Sequence, residues 1–158
     1  MVRATIAVVS KRLPRVCDAF RRHFDRLQAL FPDFGTIELH IDDAAGVDNG
    51  AGAERQFGYC REPDGKGAYK IAFASKTERL AQSNIDGLMA HEFGHAIDFR
   101  YGRRALEEIF GRHLPAGIER RADAIGSEVF GERIRYDKRL VQCVHCHGSV
   151  TRPRRLGP

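Results

Sequence analysis

The chain has 158 residues, 26 Lys+Arg against 21 Asp+Glu, and 42% apolar residues. That describes one globular domain with room for a core, too short for two. Ten Phe and four Tyr argue against disorder, and no apolar run approaches the roughly 18 residues of a spanning helix, which excludes an integral membrane protein.

The six-residue apolar stretch Ala4 to Val9 runs into Lys11 and Arg12. It is too short for a signal peptide and reads as structure. Four cysteines without an export signal are expected to be reduced, in a cytoplasmic protein. Charge divides the chain. Residues 133–158 hold seven Lys/Arg against Asp137 alone, leaving 19 basic and 20 acidic groups in residues 1–132. The expectation is a neutral domain over 1–132 and a basic C-terminal extension over 133–158. The extension either contacts nucleic acid or an acidic partner, or stands solvated.

From Leu13 to Phe31, apolar residues at Leu13, Val16, Phe20, Phe24, Leu27 and Leu30 recur at steps of three and four, which predicts a helix ending before Pro32. Thr36 to Ile41 alternates as a half-buried strand, with Ile37, Leu39 and Ile41 inward. Residues 42–54 are rich in Gly, Ala and Asp and read as a loop. Gln56 to Arg61 and Ala68 to Ser75 form a predicted hairpin around Pro63, Gly65 and Gly67. Beyond Lys76 the chain turns helical. A helix begins near Ser83, with Asp86 completing a capping pattern, and carries an apolar stripe of Ile85, Leu88, Met89, Ala96 and Phe99. An amphipathic piece spans Arg103 to Arg112. Another helix opens at Pro115 and repeats Ile118, Ala122, Ile125 and Val129. Weak strand signals follow at 134–136 and 140–144. Helix, strands, then helices predict an α+β domain.

Residues 91–95 read His91-Glu92-Phe93-Gly94-His95. Two imidazoles one helical turn apart can reach the same tetrahedral ion, and Glu92 falls beside it, where it can take a proton from water. Seven His and ten Glu in the chain predict only roughly 0.02 chance occurrences of this pattern. A catalytic zinc site needs a third protein ligand and an open position. The metzincin pattern, a His six residues beyond the second, is absent; Asp98 and Tyr101 stand in that region. His113, Glu119 and Asp123 remain as candidates. Glu119 and Asp123 lie one turn apart on a predicted helix, so Glu119 can complete the metal shell while Asp123 accepts the second N–H of a ligating His. The bland alternative is an exposed helix face on which they pair with Arg120 and Arg121.

His91-Glu92-x-x-His95 followed by Glu119-x-x-Ala122-Asp123 resembles the gluzincin metallopeptidases in their minimal form, close to the ImmA/IrrE-type proteases and the small phage and bacterial minigluzincins. The resemblance covers residues 69–130. It implies a zincin-like fold with an active-site helix, a glutamate helix and a small antiparallel or mixed sheet. It also implies zinc held by His91, His95 and Glu119, Asp123 behind a ligand, and Glu92 as general base in peptide hydrolysis. A strand above the cleft, placed at Tyr69 to Ser75, would take a peptide or protein substrate by edge pairing. Tyr101, Tyr136 and His145 are candidate oxyanion donors.

Cys143-x-x-Cys146 is a zinc half-site to which His147 or Cys60 could add, but no second such pair closes it. With the basic tail it raises two alternatives. One is a SprT-like, nucleic-acid-associated protease whose third ligand is His113. The other is a non-catalytic zinc-fold protein that binds DNA or a partner.

Overall fold

The computed structural model describes residues 3–6, 12–43, 58–63 and 67–131. Cys143, Cys146, Tyr136, His145, His147, the strand signals at 134–144, most of the 42–54 loop and the basic extension lie outside them. The architecture is mixed α+β. In chain order come β1 (Arg3–Ile6), α1 (Pro14–Leu30), β2 (Thr36–Ile41), β3 (Gly58–Arg61), β4 (Ala68–Phe73), a 3-10 turn (Ser75–Arg79), α2 (Gln82–Tyr101), α3 (Arg103–Phe110) and α4 (Ile118–Phe130).

The strands form one sheet in the order β1-β2-β4-β3. β2 runs parallel to both β1 and β4, with Thr36 opposite Arg3 and Ala68. β3 and β4 form the expected antiparallel hairpin, Cys60 opposite Ile71. One consequence differs from the sequence expectation. β4 contains the residues assigned to peptide pairing, yet it lies between β2 and β3, so both its edges are already hydrogen-bonded. Among the described residues the strand with one open edge on that side is β3.

Alternation along the strands sends Ile37, Leu39, Ile71 and Phe73 into one core with Phe20, Leu27, Leu88, Phe93, Ile97, Ile125 and Val129. The other face of the sheet carries Glu38, His40, Tyr59, Arg61 and Lys70, none of them buried. Phe93 is the hub of the helical side, with ring centroids 5.5 Å from Phe20 and 5.7 Å from Phe130.

α1 matches the predicted helix, but its N-terminus is completed from far away. Leu13 gives no cap; the Glu78 carboxylate instead accepts the N–H of Arg15 at 2.8 Å and of Val16 at 3.0 Å. α2 starts at Gln82 after Ala81, without a side-chain cap, so Ser83 lies inside the helix rather than before it. Asp86, the other half of the expected capping pair, turns to Arg22 of α1 at 2.8 Å. Nor does α2 carry a narrow apolar stripe: it is buried without a break from Gly87 to Asp98. The reason is its central place, with α1, α4, β3 and β4 all packed against it. At its end Gly102 takes φ 80°, ψ 157°, a conformation only glycine enters readily, and the chain breaks into α3. α4 begins three residues later than Pro115, at Ile118, and Ile118 itself is exposed rather than packed.

α2 and α4 cross in backbone contact. A Cβ placed on Gly94 would overlap the carbonyl of Ala122, 2.9 Å from its carbon and 3.1 Å from its Cα. Because the obstacle is backbone, no rotamer change relieves it. In an ordinary helix interior Gly→Ala stabilises by up to about 1 kcal/mol. Here the sign should reverse: Gly94→Ala is expected to cost at least ~2 kcal/mol, as overpacking does. Chemical denaturation measures it, and a stabilised variant would contradict the crossing.

Candidate metal centre

The crossing decides what meets there. Gly94 lies between His91 and His95 on α2, and Ala122 lies between Glu119 and Asp123 on α4. Contact at those two points brings the four side chains together.

His91 and His95 are 0% and 1% exposed. Their Nε2 atoms face each other at 3.0 Å. The Glu119 carboxylate closes on both, Oε2 at 3.1 Å from His91 Nε2 and Oε1 at 3.0 Å from His95 Nε2. Behind His91, its Nδ1 lies 2.9 Å from Asp123 Oδ1, so Nδ1 holds the proton it donates and Nε2 points inward. Glu92 is 1% exposed, and His91, Glu92 and His95 offer ligand atoms within 4.8 Å of one another. The Glu119 and Asp123 side chains keep 16% and 25% exposure, so the cluster is reachable from the α4 side. His95 rests against the ring of Phe99, centroids 6.0 Å apart, and its Nδ1 has no hydrogen-bond partner among the described residues.

This buried His-Glu-x-x-His cluster could hold a metal ion, and proton counting shows why. Two ring nitrogens at 3.0 Å can share only one proton, and the two carboxylate oxygens beside them only accept. Four lone-pair atoms converging in a buried space require protons or a cation. In the metal-free chain the charge goes to His91. Burial opposes it, but the hydrogen bonds to Asp123 and Glu119 outweigh burial and raise the His91 pKa to about 10. Burial wins at His95, which lacks a carboxylate behind it, and lowers its pKa. At Glu119 burial again opposes the charge. The two histidines overcome it and hold the carboxyl well below the usual range.

Other sequence candidates are elsewhere. His113 is fully exposed and pairs with Glu107 at 3.1 Å, not with the other histidines. The Tyr101 hydroxyl donates to Asp33 at 2.8 Å. Cys60 is a buried free thiol on β3, its pKa pushed well up by burial and then by Glu92. Arg121 and Asp98 were not singled out for the site by sequence, yet they form a part-buried ion pair at 2.8 Å between α4 and α2. Basic side chains are plentiful in the chain, and nothing in the spacing marks this one as turned inward.

No family model, curated protein or solved structure matches the chain.

A divalent ion entering this cluster must displace the His91 proton. Metal affinity should therefore rise with pH from neutrality toward about 10, by up to about tenfold per unit. Near pH 7 about one proton should be released per ion bound. Calorimetric titration in buffers of different ionisation enthalpy reads that number, and zero protons released would mean His91 is neutral before loading.

Proposed function

We propose that this protein is a zinc-dependent metallopeptidase with the minimal gluzincin layout, on a zincin-like fold. The observation that carries the reading is the Glu119 carboxylate lying 3.0–3.1 Å from both histidine Nε2 atoms, with Asp123 behind His91. The donor set fits the ion: two imidazoles and one carboxylate are a common catalytic zinc set that leaves a position for water or substrate. His91, His95 and Glu119 would hold it, and Asp123 would fix the His91 tautomer and ring.

Zinc in such a site supplies Lewis acidity, lowering the pKa of water toward neutrality and polarising a carbonyl. The chain does the rest. Glu92, next to the ligands and 1% exposed, takes the proton of the attacking water and passes it to the departing amine nitrogen. The buried setting strengthens each electrostatic interaction at the reacting atoms. β3, bonded only to β4 among the described residues, offers N–H and C=O groups for an extended peptide. Hydrolysis of a peptide or protein substrate follows as the activity.

The experiment pairs metal content with cleavage. Protein purified without added metal or chelator is expected to carry one zinc per chain and to cut members of a peptide library, read by mass spectrometry. Glu92→Gln should keep the zinc and lose cleavage by ~10²–10⁴-fold, whereas Glu119→Ala should lose zinc as well. Cleavage that survives both Glu92→Gln and chelation would sink the proposal.

A further inference from the structure

We propose that Arg121, anchored by Asp98, is the positioning residue that keeps Glu119 on the two histidines; the inference rests on the metal-site reading above. Glu119 lies in the first turn of α4, and that turn has no conventional support. Its cap residue is Gly117, with no side-chain cap. Arg121 holds it in a different way, by tethering the segment that enters the helix. Its Nε donates to Asp98 Oδ2 at 2.8 Å, and its Nη1 donates to the carbonyls of Ala116 at 2.7 Å and Pro115 at 3.3 Å. One guanidinium thus ties the segment entering α4 to the last turns of α2. Its side chain is 14% exposed and that of Asp98 5%, so the bond between them is shielded from water more than the one to the Ala116 carbonyl, which is exposed.

The geometry explains why this matters for Glu119. Residues two apart leave a helix about 200° apart, yet Glu119 and Arg121 both reach α2. The first turn of α4 is therefore gripped on two sides, and a rotation of that turn would disturb both contacts. Lysine cannot replace this fork, because an ammonium is a point donor that cannot serve Asp98 and two carbonyls in the same planar arrangement.

The test uses Arg121→Gln, Arg121→Lys and Asp98→Asn in the full chain, with folding checked by circular dichroism. Zinc affinity, read by chelator competition, should fall by ~10–100-fold in Arg121→Gln, with Arg121→Lys between it and the wild type. The cobalt(II) absorption spectrum should change as Glu119 leaves the ligand set. In the metal-free protein the imidazole NMR signals of His91 and His95 should move, because Glu119 pairs with both there. Unchanged affinity, cobalt spectrum and imidazole signals, with only a lower melting temperature, would reduce the pair to a structural clasp. If the wild type takes up no zinc, the peptidase reading fails and the imidazole signals alone decide. Movement in Arg121→Gln sustains the positioning role, and none overturns it. Should Arg121→Gln fail to fold, Asp98→Asn and Arg121→Lys give the same readings.

Discussion

The site exists because two helices touch at their backbones. Helices carrying ordinary side chains pack with axes roughly 8–10 Å apart, and contact between a glycine and a neighbouring carbonyl belongs at the short end of that range. At Gly94 and Ala122 there is no side-chain layer between the helices. The short Asp and Glu side chains of α4 can then reach the imidazoles of α2. A residue with a Cβ at position 94 would hold α4 off by the thickness of that atom. Two residues of no chemical reactivity thus set a distance on which all the reactive ones depend.

Electrostatics explains why so much polarity sits in a buried interface. Removing charges from water costs several kcal/mol each, repaid only by close, well-aligned partners. α2 and α4 meet that condition twice. Asp98 and Arg121 neutralise each other and leave the guanidinium free to hold two carbonyls. At the other place His91 lies between the carboxylates of Glu119 and Asp123, which favour its charged form. The first pair is balanced and structural in kind. The second has two carboxylates on one imidazole, an arrangement that a packed apolar interface would replace with no loss of stability. Such a local excess of acceptors points to a function other than holding the fold together.

The fold and site were legible from sequence wherever the governing contact was local. Steps of three and four gave α1 nearly to the residue, and alternation gave β2. The turn residues Pro63, Gly65 and Gly67 between two strand signals gave the hairpin. His91, Glu92 and His95 share one helix turn, so their convergence followed from spacing alone, and the Glu119–Asp123 pair could be placed opposite them by ligand chemistry. What escaped was set by distant partners. Glu78 caps α1 from more than sixty residues away, a relation that no local signal carries. Asp86 looked like half of a capping pair because Arg22 was not known to be its neighbour. The open-edged strand was misplaced because hairpin membership does not say which strand meets β2. Arg121, an arginine on a charged helix, resembled a solvated residue until Asp98 was found beside it.

Charge counting also bears on which state the cluster favours. With His91 protonated, the two carboxylates that contact it, Glu119 and Asp123, outweigh it by one negative charge. Exchanging that proton for a divalent ion brings the same three side chains to zero, since His91 becomes neutral and the ion balances both carboxylates. The buried ring nitrogens would then no longer compete for protons, and Nε2 of each histidine would face the ion together with Glu119. A divalent cation would therefore balance Glu119 and Asp123 where one proton on His91 does not, leaving Glu92 beside it to act on water. Little reorganisation remains for binding to impose, because Asp123 has fixed the His91 ring and Arg121 has fixed the turn that carries Glu119. Affinity gained in this way comes from preorganisation, and its source is the packing of α2 against α4 rather than the ligands taken singly.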